Sequence, residues 1–225
     1  MISVVIPVYD EDKALPATLT HLIAQEGDYE IIAVDGCSTD STLEVLSKFP
    51  EVRVLMATKG RASQMNTGAA AAKGEWLLFL HADTLLPEGA LARLNSWEAD
   101  SGIHAGGFRH RFSGDSCSLR FVSWLDNVRT QTTRIIYGDQ AMFVRRSLFQ
   151  RLGGFPEGGV MEDVSFCQRL VHETRPILVD DSVVTDSRKF EQMGVWRSLF
   201  RVAVILVRHQ LGLSIEGNCF FSDVR

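Results

Sequence analysis

The sequence contains no Cys-x-x-Cys pair, no apolar run longer than the six residues Val202 to Val207, and no excess of basic side chains. Its four cysteines (Cys37, Cys117, Cys167 and Cys219) fall at irregular spacings. That excludes a zinc ribbon or a redox motif, and in a chain of this size it fits free thiols in a reducing compartment. Six apolar residues fall far short of the ~20 that a membrane-spanning helix requires. The N-terminus opens on an apolar strand pattern instead of a charged segment followed by a long apolar one, so no signal peptide is expected. These absences predict a cytoplasmic protein. Lys and Arg number 23 against 28 Asp and Glu, a net charge of −5. That balance leaves no basic stripe for nucleic acid.

What is present is ordinary for a globular chain: 45% apolar and 23% charged residues over 225 positions. Against a prior of ~150 residues per domain, one α/β domain is expected. The first half alternates strand and helix signals. Residues 2–9, 30–34, 52–56 and 75–80 read as buried strands. Residues 14–25, 39–49, 62–72 and 88–97 read as helices, with Leu43 and Leu46 pointing inward from the second. Four such units with short links predict parallel strands joined by right-handed crossovers, a Rossmann-like half. Beyond residue 100 the beat is lost. Strands are predicted at 103–112, 140–144 and 177–179, with helices at 119–128, 147–152, 164–171 and 195–211. The chain therefore divides into a nucleotide-binding half (1–100), a half that completes the site (101–190) and a helical extension (191–225).

Ligands of open parallel sheets bind beyond the carboxyl ends of the strands. Strand 1 leads into Tyr9-Asp10-Glu11, strand 2 into Asp35, strand 3 into Lys59-Gly60-Arg61, and strand 4 into His81-Ala82-Asp83. Carboxylates gathered at one sheet edge repel one another unless a cation lies among them. A hard divalent ion shared with a phosphate ligand meets that need. Simpler roles stay open: Asp40 suits a helix N-cap, Asp83 a turn before Pro87, Asp163 the N-cap of the helix at 164–171, and Lys59 and Arg61 a solvated loop. Trp76, Phe79 and Trp97 read as core. Trp124 and the pair Asp126-Asn127 fit either the core or an acceptor-facing surface.

The runs Ser3-Val4-Val5-Ile6-Pro7-Val8-Tyr9-Asp10-Glu11, Val34-Asp35-Gly36-Cys37-Ser38-Thr39-Asp40-Ser41-Thr42 and Leu78-Phe79-Leu80-His81-Ala82-Asp83 resemble the ordered signatures of glycosyltransferase family 2. Arg61-Ala62-Ser63-Gln64-Met65-Asn66-Thr67-Gly68, Gly138-Asp139-Gln140, Gly153-Gly154-Phe155-Pro156 and Met161-Glu162-Asp163-Val164 continue the resemblance to about residue 190. The blend is most similar to a bacterial subgroup of small soluble members associated with radical SAM or selenium-related genes. The resemblance implies a GT-A fold. It also implies inverting transfer of a sugar from a nucleotide-diphosphate donor to an acceptor hydroxyl, assisted by Mg²⁺ or Mn²⁺. By position, Asp35 then lies near the base, Pro7, Tyr9 and Glu11 surround base and ribose, Asp83 binds the metal, and Asp163 of the Glu162-Asp163 pair is the catalytic base.

Two departures matter. Gly36 stands where the family carries a second acid, and His81 replaces the first Asp of the usual Asp-x-Asp. Imidazole is a poor ligand for Mg²⁺, so Asp83 is the one direct carboxylate expected on the metal, with a bias toward Mn²⁺. His81 then touches ribose or orients Asp83. Lys59 and Arg61, or Arg188 and Lys189 on a late basic loop, are candidates to meet the diphosphate. The loss of acids at Gly36 and His81 keeps a sugar-nucleotide sensor as an alternative. A sugar nucleotidyltransferase is disfavoured, because that class needs a glycine-rich basic loop where this chain has Tyr9-Asp10-Glu11-Asp12. The terminal helix carries Val195, Leu199, Val202, Leu206 and Leu213 near one face, with Arg197, Arg201, Arg208 and His209. The simpler reading packs it on its own domain or a dimer partner. The other lays it on the inner face of an anionic membrane, beside a lipid-linked acceptor.

Overall fold

The structure, a computed structural model, describes residues 1–98, 101–157 and 161–210. Its elements run β1 (Ile2–Val8), α1 (Leu15–Ile23), β2 (Tyr29–Asp35), α2 (Thr42–Leu46), β3 (Val52–Met56), α3 (Arg61–Ala71), β4 (Trp76–Phe79), β5 (Thr84–Leu85) and α4 (Ala90–Ser96). There follow β6 (Ala105–Phe112), α5 (Cys117–Thr133), β7 (Phe143–Arg145), α6 (Arg146–Arg151), α7 (Glu162–Glu173), β8 (Ile177–Thr185), α8 (Arg188–Met193) and α9 (Val195–Gln210). One sheet carries all the strands in the order β3-β2-β1-β4-β7-β6-β8-β5. The four strands β3, β2, β1 and β4 are parallel, while β7 joins β4 antiparallel and opens the mixed half.

Every residue of β1 is buried, because a central parallel strand is covered on both faces. Period-two alternation sends Ile2, Val4, Ile6 and Val8 into one apolar layer with α1 and α4. Val5, Ile32 and Val34 enter the other layer, under α3, α6 and α7. Gly68 lets α3 press onto β1: a Cβ there would lie 2.3 Å from Cγ1 of Val5. Trp76 and Phe79 are buried as expected, and Trp97 packs against the first layer.

Several expectations need correction. Leu43 is exposed and only Leu46 turns inward, since α2 spans five residues and buries a single turn's stripe. The last strand runs from Ile177 to Thr185, well past residue 179, because β6 offers it a parallel partner. A bulge between Phe108 and Arg109 absorbs Asp180 and Asp181 and resets the register. The two-residue β5 went unseen, as so short a pairing leaves no periodicity to read. Arg188 opens the helix α8 instead of sitting on a loop.

The inner face of α9 packs on the domain itself. Val195 and Leu199 meet the cluster of Phe112, Leu119 and Val122, and Val202 meets that of Met161, Val164 and Ile205. Residues 211 and 213 and Cys219 lie outside the described residues, and the side chains of Leu206 and His209 are not described. Cys37, Cys117 and Cys167 are free thiols. No helix among the described residues is long and apolar enough to cross a membrane.

Candidate active site

Strands β2 and β3 lie on one side of β1 and β4 on the other, so the chain's direction across the sheet reverses between β1 and β4. A crevice at such a point is where ligands of these sheets bind. A cavity of about 500 Å³ opens there. Pro7 lines it from the end of β1, Tyr9 and Glu11 from the loop beyond, and His81 and Asp83 from beyond β4. Arg61 enters from α3 and Asp163 from α7, together with Gly138 and Asp139. Phe190 of α8 and apolar side chains of α5 and α9, including Val122, Leu125, Leu199 and Val202, complete the wall.

The loop bearing Tyr9 and Glu11 is fastened by the turn after β2. The Ser38 hydroxyl accepts from the Asp10 amide at 3.0 Å, and the Thr42 hydroxyl accepts from the Glu11 amide at 2.8 Å. Asp10 in return accepts from the Thr39 amide at 2.7 Å. Asp35 is fully buried, accepts from the Ser38 amide and hydroxyl, and is not among the cavity's lining residues. Asp40 is not the N-cap of α2. Ser41 holds that position, and Asp40 accepts from the Thr42 amide at 2.9 Å. Lys59 lies with its ammonium 3.8 Å from the centre of the Tyr9 ring, a cation–π contact that steadies this wall.

Glu162 and Asp163 occupy the first turn of α7, where the helix dipole favours negative charge. The N-cap itself is Met161, in a left-handed conformation at φ 67°. A bulky residue held there is strained, and such strain persists only where surrounding contacts enforce it. Glu162 is buried and receives Nε of Arg61 at 2.7 Å. Asp163 is buried and accepts from the Gly138 amide at 2.6 Å and the Val164 amide at 2.8 Å. Burial raises its pKa above the usual carboxylate value, although the Arg61 guanidinium pulls the other way. Gly138 is wedged between two candidates: a Cβ there would lie 2.7 Å from Nε2 of His81 and 3.3 Å from Oδ2 of Asp163.

Arg188 is exposed, pairs with Asp186 at 2.5 Å and is not among the lining residues. The side chain of Lys189 is not described. Residues that sequence reasoning missed come largely from the second half. Gln64 donates to the carbonyls of Val8 at 2.7 Å and Val34 at 2.8 Å, joining the ends of β1 and β2. Asn66 clasps Phe155 in both directions at 2.9 Å, which docks the Gly153-Gly154 turn on α3. Both lie in the 61–68 run, whose pattern was the available signal. His110, Arg129, Tyr137 and Asp139 also line the cavity, as does Asp126, which the sequence allowed on either the core or an acceptor-facing surface. Arg129 pairs with Asp126 at 2.6 Å and covers the Tyr137 ring at 3.3 Å. Burial pushes the Tyr137 hydroxyl up to about 12, so it stays protonated. The Gly138-Asp139-Gln140 run carried a signal for Asp139. Nothing local marked His110, whose inward aim follows from β6 register.

The family model for glycosyl transferase family 2 matches residues 3–152. A protein of Mycobacterium tuberculosis named as a PGL/p-HBAD biosynthesis glycosyltransferase is 35% identical over 166 residues, which cover 69% of this chain and 63% of that protein. A Proteus mirabilis undecaprenyl-phosphate 4-deoxy-4-formamido-L-arabinose transferase is 30% identical over 156 residues, 64% of this chain and 48% of its own length. The chain thus spans less than two thirds of either relative. Among solved structures, a mannosyltransferase of Pyrobaculum calidifontis in complex with GDP-Man and Mn²⁺ superposes with a TM-score of 0.69 at 24% identity, over 91% of this chain and 61% of that one. S. aureus TarS 1–349 in complex with UDP-GlcNAc gives 0.67 at 20% identity, over 83% and 58%. These likenesses establish the GT-A fold.

Proposed function

Because the chain belongs to glycosyl transferase family 2, we propose that its cavity takes a nucleotide-diphosphate sugar and transfers the sugar, with inversion, to an acceptor hydroxyl. The observation that carries this reading is the single cavity shared by Asp83, beyond β4, and Asp163, at the start of α7. Residues 1–100 serve as the donor half and 101–190 as the acceptor half. Pro7, Tyr9 and Glu11 surround base and ribose, with Asp35 fixing the turn beneath them and His81 toward the ribose.

Carboxylates outnumber the two arginines, Arg61 and Arg129, in the lining. A diphosphate entering it meets net repulsion unless a cation accompanies it. Asp83 fits that need as the carboxylate that would hold Mn²⁺ or Mg²⁺. When bound, such an ion offsets the charge that develops on the departing nucleoside diphosphate. Arg61, held charged beside Glu162 and Asp163, adds a fixed cation to the cavity, and Lys59 stands over Tyr9 at its edge. Arg188 reaches the diphosphate only after leaving Asp186.

Asp163 acts as the base. The acceptor oxygen forms a bond to the anomeric carbon as the carbon–phosphate oxygen bond breaks, and the hydroxyl proton passes to Asp163. A carboxylate whose pKa is raised by burial is a better base than one in water. The apolar wall from α5 and α9 suits an acceptor with a hydrophobic part, which the Proteus relative's name also supports. The outer face of α9 exposes Trp196 and Phe200, each followed in the chain by an arginine (Arg197 and Arg201), next to the stacked Phe121 and Trp124 of α5. Residues 195–210 contain no acidic residue. That combination suits an anionic bilayer surface.

A thermal-shift comparison of uridine and guanosine diphosphates with and without Mn²⁺ tests the donor site, since a bound ligand stabilises by RT ln(1 + [L]/Kd). The expected result is a shift for one nucleotide that needs Mn²⁺ and disappears in Asp83→Asn. Slow Mn²⁺-dependent release of nucleoside diphosphate from the donor marks a catalyst, not a sensor. No shift from any nucleotide would sink the reading.

A further inference from the structure

His110, Asp126 and Asp139 reach the same cavity from β6, α5 and the turn at Gly138–Gln140, and each offers a ligand atom within 4.8 Å of the others. The family reading uses none of the three. Two acids near each other would be unremarkable, but His110 is not part of an acidic surface. It is 2% exposed, and its Nε2 has no hydrogen-bond partner among the described residues. That nitrogen stands 3.9 Å from Oδ2 of Asp139. Oδ1 of Asp139 and Oδ2 of Asp126 are likewise buried and unpartnered. A buried polar group left unmet is destabilising, so three together call for an occupant.

The cluster is also built. The Asn127 side chain holds both the amide and the carbonyl of His110 at 2.9 Å. Phe112 packs edge-on against the imidazole with ring centres 4.6 Å apart. Arg129 grips Oδ1 of Asp126 with two nitrogens, at 2.6 and 3.0 Å, and leaves Oδ2 aimed elsewhere. Supports of this kind, behind the ligating atoms, are what orient the ligands of metal sites. Two carboxylates and one arginine leave the group negative when His110 is neutral, so a dication is welcome there. A mixed imidazole and carboxylate set suits Zn²⁺, Co²⁺ or Mn²⁺ better than Mg²⁺. Ligands about 2.1 Å from one metal stand roughly 3.4 Å apart in tetrahedral geometry, so closing the cluster takes side-chain movements of about 1 Å or less.

We propose that His110, Asp126 and Asp139 form a second divalent-cation site at the acceptor end of the cavity, separate from the ion assigned to Asp83. A cation there relieves the mutual repulsion of these carboxylates and of nearby Asp163, and gives an acceptor hydroxyl a fixed point of attachment beside the base.

The test is Co²⁺ titration of the full chain without nucleotide, followed by visible absorption and calorimetry, with Zn²⁺ as competitor. The expected result is one Co²⁺ bound with imidazole coordination and displaced by Zn²⁺. Affinity should fall at least about tenfold in Asp139→Asn and in His110→Asn, each checked for folding by its thermal transition. Asp126→Asn serves if either variant unfolds. Asp83→Asn should leave the cobalt spectrum unchanged. Absence of a cobalt spectrum, binding indifferent to all three variants, or loss of the signal in Asp83→Asn would overturn the site. Its failure is separable from failure of the donor reading, which is scored by nucleotide binding in Asp83→Asn.

Discussion

Arg61 and Glu162 lie 101 residues apart in the chain and meet at 2.7 Å, joining the start of α3 to the first turn of α7. Since α3 rests on β1, this contact fixes Asp163 relative to the strand ends that carry Tyr9 and Glu11. On the proposed mechanism Glu162 would act through position, next to the residue proposed as base.

Glu162→Gln takes from the Arg61 guanidinium the carboxylate that it hydrogen-bonds, leaving Asp163 as the other buried acid beside it. Breaking one side of a buried pair costs about 3 kcal/mol at the lower end of the observed range. Urea unfolding should show a lower midpoint with an unchanged slope. An unshifted midpoint would mean that the pair contributes nothing to the docking of α7.

Asp163→Asn removes the proposed base while keeping an oxygen to accept from Gly138. Turnover should fall by about 10²- to 10⁴-fold with donor affinity nearly unchanged. In the parent enzyme the rate should fall as pH drops through the raised pKa of Asp163, because only the carboxylate takes a proton. That acid limb should vanish from the residual activity of the variant.

The same shift has a consequence for stability. The folded-state pKa of Asp163 lies above its unfolded value, so the native state binds the proton more tightly. Its favourable contribution is complete below the unfolded pKa of 3.8 and is lost as pH rises through the folded pKa. Asp163→Asn should therefore be more stable than the parent at neutral pH, with the difference closing in acid. Thermal melts across that range measure it.

Gly138→Ala places a Cβ 2.7 Å from His81 and 3.3 Å from Asp163. His81 must shift and Asp163 must give by a few tenths of an ångström, and since a displacement of about 1 Å at a reacting group costs roughly 10²-fold in rate, that factor bounds the loss. Activity should fall, by less than that factor, while the unfolding transition moves little. Unaltered kcat/KM would show that neither neighbour needs its present position.

The pair Trp196→Ala with Phe200→Ala tests the outer face of α9. Co-sedimentation with anionic vesicles should be lost in the double variant, and neutral vesicles should not bind the parent. If the parent ignores vesicles but dimerises by sedimentation velocity, the face is instead an interface between copies.

The sequence by itself determined the parallel half of the sheet. The first three βα units there pack each against its neighbour in the chain, and β4 returns to the free edge of β1, so local periodicity and a buried strand such as β1 carry most of the topology. It also marked Asp83 as a candidate, because strand ends can be read from nearby residues, while Asp163 was marked only by the resemblance to a family motif. Tertiary structure alone decided the rest of the cavity wall. Whether His110 faces inward depends on the bulge at Phe108 and on pairing with β8 some seventy positions later, a register that no local pattern encodes. Asp35 turned to Ser38 and Arg188 to Asp186, near neighbours in the chain, and Leu43 turned outward because the short α2 buries one stripe only. A side chain's final direction is set by the partners within reach in the folded chain, whether near or distant in sequence, and periodicity reports only which face it starts from.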